Sequence, residues 1–111
     1  MKLRSLLAVP SVRSAALVGR DGLALEAHGP ESEALAAEIA SLRAATDRVS
    51  RRLGGGQLTR LAFTTETLEV VMIAVGEYGA AMTVARGTDT RPAQMELARL
   101  AQELLGKLPS T

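Results

Sequence analysis

Apolar positions along the chain follow two rhythms, one of three to four residues and one of two, and the changes between them mark eight elements. Leu3, Leu6 and Leu7 stand at i, i+3, i+4, which predicts a short helix over 1–8 that ends before Pro10. Residues 14–19 fit a strand, Arg20-Asp21-Gly22 interrupts it, and 23–28 resume the apolar pattern. Asp-Gly between two apolar runs is a hairpin signal, because Gly adopts positive φ at no steric cost. Gly29-Pro30 then stops the second strand.

Residues 31–53 carry the clearest helical signal. Leu35, Ile39, Leu42, Thr46, Val49 and Leu53 recur at 4-3-4-3-4 spacing and predict one buried stripe. Glu31 and Glu33 sit in the first turn and Arg51 and Arg52 in the last, an order that complements the helix dipole. Gly54-Gly55-Gly56 ends the helix. From Gln57 the rhythm becomes that of strands: 58–64, then 68–75 after a turn near Glu66-Thr67, then 80–86 after Gly76-Glu77-Tyr78-Gly79. Val70-Val71-Met72-Ile73 is apolar on both faces, as an interior strand between helical layers requires. A last helix over 91–108 carries Leu97, Leu100, Leu104 and Leu108 on one stripe, with Pro92 in its first turn, where proline is tolerated.

The predicted order is therefore α-β-β-α-β-β-β-α, an α/β (α+β) fold with a largely antiparallel sheet and helices on both faces. At 111 residues the chain fits one domain spanning 1–111, since domains cluster at roughly 100–150 residues.

Composition sharpens this picture in two ways. The apolar fraction of 47% is ample for a core, but it is mostly Ala, Leu and Val, and Phe63 and Tyr78 are the only aromatics. A core of such small side chains gains from a partner subunit. The net charge is +1 with dispersed arginines, which lacks the clustered basic face and stacking aromatics of a nucleic-acid binder. There is no Cys, so disulfides, thiolate chemistry and Cys-ligated zinc are excluded. The apolar stretch from Leu6 to Val9 is shorter than a signal-peptide core, and no run approaches the roughly 20 residues of a membrane span. These features lead us to expect a cytoplasmic protein without membrane insertion.

Residues 9–25, V-P-S-V-R-S-A-A-L-V-G-R-D-G-L-A-L, resemble the Roadblock/dynein-light-chain domain family in its bacterial MglB-like type. The Ala-rich helix ending in Gly54 to Gly56, the three-strand meander and the terminal helix extend the resemblance over nearly the whole chain. It implies a five-stranded antiparallel sheet in the order 2-1-5-4-3, with the long helix on one face and the terminal helices on the other. It also implies a homodimer with paired third strands and long helices side by side. Family members bind or regulate small Ras-like GTPases or serve as adaptors. Here the N-terminal helix is short and no C-terminal extension is expected, so members that use such appendages are poorer guides.

Two features of the residues themselves ask for a second copy. On a helical wheel with Leu35 at zero, Ala37, Ala40, Ser41 and Ala44 fall roughly opposite the predicted core stripe, at about 100° per residue. Small residues let two helices approach closely; the alternative is that Ala fills an exposed face as the best helix former. Strand 58–65 has Arg60 as its only charge and no Pro, so as a sheet edge it would offer unpaired backbone groups unless a loop or helix covers it. The expected dimer interface is thus Ala37, Ala40, Ser41, Ala44, Leu58, Arg60, Ala62 and Thr64.

Candidate chemistry is sparse. His28 is the single histidine, which excludes His clusters and favours a structural role. Glu31/Glu33 and Glu66/Glu69 have roles as helix-start and turn charges, so no catalytic residues, cofactor or metal are expected. The glycines at 54–56 leave a helix and enter a strand, the reverse of a phosphate-binding loop. Residues 86–90 precede a helix, but Asp89 would repel an anion and reads as a cap. The sequence reads as a non-catalytic partner of a small GTPase, with Arg43, Arg48, Arg51 and Arg52 on the long helix as expected contacts, or as solvated arginines. A structural adaptor with no GTPase partner is the alternative. A small-molecule sensor would need aromatics and convergent polar groups that are scarce here.

Overall fold

The structure, a computed structural model, describes residues 2–108. Its elements are α1 (Arg4–Leu7), β1 (Val12–Gly19), β2 (Ala24–His28), α2 (Ser32–Arg52), β3 (Arg60–Thr64), β4 (Leu68–Val75), β5 (Tyr78–Ala85) and α3 (Arg91–Leu104). All five strands form one antiparallel sheet in the order β2-β1-β5-β4-β3. The predicted element order and sheet order are both found.

Strand alternation sorts the apolar side chains into two cores. Ala15, Leu17, Val71, Met82 and Val84 meet Leu3 and Leu6 beside α1 and Leu97, Leu100 and Leu104 of α3. Ala16, Val18, Val70, Met72 and Ala81 point the other way and meet Leu35, Ala36 and Ile39 of α2. β4 lies between β5 and β3 and is buried on both sides, which accounts for the apolar run 70–73.

Several boundaries move for identifiable reasons. β5 starts at Tyr78 because Val75 pairs with Tyr78 across a two-residue turn, Gly76-Glu77, with Gly76 at φ 60°. α2 starts at Ser32, and Glu31 lies outside it as a left-handed N-cap residue at φ 61°. Gly29 just before must be glycine: its φ is +91°, and a Cβ there would lie 2.3 Å from the Arg13 carbonyl oxygen. β3 starts at Arg60 because the Leu58 N–H turns away to the Asp47 side chain. α3 ends at Leu104, where Leu105 becomes extended. The first predicted helix shrinks to one turn; Met1 lies outside the described residues.

Candidate interaction surface

The long helix does not lie as its apolar spacing predicts. Its inward residues are Ser32, Leu35, Ala36, Ile39, Arg43 and Asp47. On a wheel this face is centred about 70° from the predicted stripe, at 100° per residue. Leu42, Val49 and Leu53, expected in the core, are 37%, 56% and 81% exposed. The C-terminal part of the buried face belongs instead to two charged residues, Arg43 at 5% and Asp47 at 2% exposure.

Both are held by backbone groups distant in sequence. Arg43 Nη1 donates to the Tyr78 carbonyl at 2.8 Å and Nη2 to the Gly76 carbonyl at 2.9 Å, so the guanidinium caps the β4–β5 turn. Its Nε is buried without a partner. Burial pulls the Arg43 pKa below its usual value, and the nearby Arg20 charge adds to that. Asp47 accepts the Leu58 N–H at 2.9 Å through Oδ1 and Arg20 Nη1 at 3.1 Å through Oδ2. The Leu58 bond, followed by Arg20, holds the Asp47 carboxyl below the ordinary range against the cost of burial. Arg20 also reaches Glu77 at 2.7 Å, so the β1–β2 turn, α2 and the β4–β5 turn meet in one charged cluster.

With the C-terminal part of the buried face taken by these two residues, an apolar flank of α2 is left open. Leu35, Ile39, Leu42 and Ala45 line a groove of about 300 Å³ with Phe63 of β3 and Val70 of β4, and Glu38 and Ser41 of α2 also line it. Phe63 is 40% exposed. Val49 and Leu53 extend this flank toward the end of the helix. The groove opens beside the outer edge of β3, which no strand among the described residues pairs. The ladder alternates: the Ala74 N–H reaches the Thr59 carbonyl and the Thr65 N–H the Leu68 carbonyl, so Arg60, Ala62 and Thr64 turn their backbone groups outward.

The expected interface residues fall in two places. Arg60, Ala62 and Thr64 are exposed on the β3 edge, with side chains on the α3 face, where Arg60 Nη2 donates to Gln94 Oε1 at 3.0 Å. Leu58 is half-buried against the α2 core. Ala37, Ala40, Ser41 and Ala44 line a shallow groove with Arg20, Asp21, Gly22 and Leu23 of the β1–β2 turn. The Ala37 and Ala40 side of α2 therefore faces the hairpin, away from β3, and the expected surface is not one contiguous patch.

Of the four arginines expected to reach a partner, Arg43 is turned inward and bonded, a correction forced by the rotation of α2. Arg48, Arg51 and Arg52 are exposed near the end of the helix. Leu42, Val49, Leu53 and Phe63 escaped the sequence reading because apolar spacing alone assigned the three helix residues to the core. A signal was present in Arg43 and Asp47, spaced by four in phase with Leu35 and Ile39.

The other chemical candidates are tied into structure. His28 Nε2 lies 3.0 Å from Glu26 Oε1, and Glu26 also accepts the Lys2 and Leu3 backbone N–H groups. Asp89 accepts the Arg91 N–H and pairs with its guanidinium ahead of α3. Among the described residues no group of three or more His, Cys, Asp or Glu could hold a metal ion, and no helix is long and apolar enough to cross a membrane.

The Roadblock/LC7 domain family model matches residues 1–86. Among solved structures, a Roadblock/LC7 domain from Streptomyces avermitilis superposes with TM-score 0.84 at 22% identity, covering 94% of this chain and 92% of that one. Myxococcus xanthus MglB gives 0.83 at 16% identity, covering 93% and 88%. An MglB with a tetrameric arrangement gives 0.82 at 21% identity, covering 95% and 83%. No curated protein sequence matches the chain.

Proposed function

The chain belongs to the Roadblock/LC7 domain family, and from that premise we propose that it is a non-catalytic, cytoplasmic homodimer that serves as a docking platform for a small Ras-like GTPase. One observation carries the dimer: the apolar flank of α2, with Leu42, Val49 and Leu53, opens with Phe63 onto the unpaired β3 edge. Single exposed apolar residues need no explanation, but a contiguous stripe beside an unpaired edge is a liability that association removes. Two copies joined antiparallel at β3 satisfy the outward groups of Arg60, Ala62 and Thr64 and bring the two α2 flanks together. The interface so formed uses Leu42, Ala45, Val49, Leu53 and Phe63, with the small-residue side of α2 left free.

Joined in this way, the two long helices form a two-fold ridge whose exposed positions include Ser41, Arg48, Arg51 and Arg52. These arginines suit an acidic partner surface, and the family's association with small GTPases makes a G domain the proposed occupant. Sedimentation velocity at micromolar chain concentration tests the first step, and a lone 11.6 kDa particle would overturn it. Capture of the small G-domain proteins of the same genome, loaded with GDP or a GTP analogue, tests the second. An intact dimer that captures none of them in either state leaves a structural adaptor. That second reading is favoured by exposed Leu23 just ahead of β2 and Leu25 within it, at the other edge of the sheet. The tetrameric MglB relative lends it further support.

A further inference from the structure

We propose that buried Arg43 and Asp47 fix the rotational setting of α2 and so hold Leu42, Val49 and Leu53 out at the self-association face. The inference rests on the dimer proposed above and names the residues that decide whether its surface exists. Apolar spacing alone favours a setting of α2 in which Leu35, Ile39, Leu42, Thr46, Val49 and Leu53 all point to the sheet. The observed helix is turned about 70° from that setting, at 100° per residue, and buries two charges in place of Leu42 and Val49.

A monomer gains nothing from such an exchange by hydrophobic burial, and removing charges from water is costly. What holds the setting is directional. Arg43 reaches two carbonyls of the β4–β5 turn, and Asp47 reaches the Leu58 N–H just ahead of β3. Rotation of α2 toward the apolar optimum would break all three bonds and leave the Gly76 and Tyr78 carbonyls and the Leu58 N–H without these partners. Because Asp47 also fixes the chain where it enters β3, the same residues align the helix flank with the strand edge. Arg43 and Asp47 are positioning residues: neither is exposed enough to touch a partner, yet both set which side of α2 a partner meets.

The chain has no cysteine, so Val49→Cys introduces a single thiol whose reaction rate with a maleimide reports the setting of the helix. The rate is read at nanomolar concentration on dissociated chains, in the parent and in Arg43→Ala/Asp47→Ala, with folding checked by circular dichroism. The double variant is expected to slow labelling at least about fivefold, as the thiol turns inward. Without the Val49→Cys change, it is expected to weaken dimerisation about tenfold. Arg43→Gln, which removes one pin, is expected to move both readouts the same way by less. A folded double variant that labels as fast as the parent overturns the proposal, as does slowed labelling with an undiminished dimer. If neither variant folds, the proposal also falls, since it requires the unpinned helix to pack in another setting. A parent that never dimerises sinks the platform reading alone, because the labelling comparison is made on single chains.

Discussion

The Asp47 carboxylate accepts the backbone N–H of Leu58, eleven residues later in the chain, at 2.9 Å, and so links the last turns of α2 to the segment that leads into β3. The chain between them passes through Gly54, Gly55 and Gly56, where Ser50 Oγ donates to the Gly56 carbonyl at 2.8 Å. A glycine-rich connection has little stiffness of its own. Side-chain bonds therefore fix the relation of helix to strand.

That bond makes stability pH-dependent. The folded state holds Asp47 below its ordinary pKa, so its contribution is complete above the unfolded value near 4 and is lost as pH falls through the folded value. Asp47→Asn should flatten the acid limb of the stability curve, measured as urea midpoints from about pH 5 to pH 2. A further acid dependence should persist from Glu96, which Arg99 holds at about 2. Asp47→Ala leaves the Leu58 N–H unpaired and should cost roughly 2–4 kcal/mol at pH 7.

Two glycines with similar dihedrals should respond differently to alanine. Gly29 and Gly54 both have positive φ, +91° and +73°, but a Cβ at Gly54 meets nothing within 4 Å. Gly54→Ala should cost about 1 kcal/mol, the left-handed penalty alone. Gly29→Ala adds a clash with the Arg13 carbonyl and the Ser14 backbone and should cost at least about 3 kcal/mol by chemical denaturation. Equal losses would show that β1 shifts freely at Arg13.

Much of the fold is legible in the sequence, because period two and period 3.6 differ enough to order the eight elements. The rotational setting of α2 is not. Leu42, Val49 and Leu53 follow the spacing of a core stripe, and nothing near Arg43 in sequence shows that its partners are carbonyls 33 and 35 residues away. The β3 edge is legible for the opposite reason: the absence of Pro and the paucity of charge are local facts. Ala37, Ala40, Ser41 and Ala44 lie on the side of α2 toward the β1–β2 turn, a relation that no local spacing shows.

Ala62 allows a test of the edge. Its N–H points away from β4, so Ala62→Pro removes a donor to a second copy while leaving the β3–β4 ladder bonds in place. The variant should stay folded and sediment as a monomer at micromolar concentration. If the Ala62→Pro chain still dimerises, pairing through β3 is excluded.

Val49 tests the helix flank independently. At 56% exposure, Val49→Asp should change single-chain stability by about 0.5 kcal/mol or less, yet weaken the dimer at least about tenfold by burying an unpaired carboxylate. Met95→Asp, at an exposed position on α3, serves as the control and should leave the dissociation constant unchanged. If both variants dissociate equally, the α2 flank is not the seam.

The arginine ridge is tested by charge. Arg51→Glu/Arg52→Glu lies at the exposed end of α2 and replaces two positive charges with two negative ones. Each side chain is exposed, so folding should be little affected. Capture of a G-domain partner should instead fall, chiefly through slower association, since surface charge steers encounter. The parent's association rate should decline as salt rises, because the ~10 Å screening length at 0.1 M removes steering between exposed charges. The reversed variant should lose that salt dependence or invert it. Stopped-flow association at two ionic strengths separates this outcome from a general loss of the dimer, which sedimentation of the same variant reports. A partner bound at the same salt-independent rate by both chains would place its contact elsewhere on the molecule, away from the ends of the two long helices.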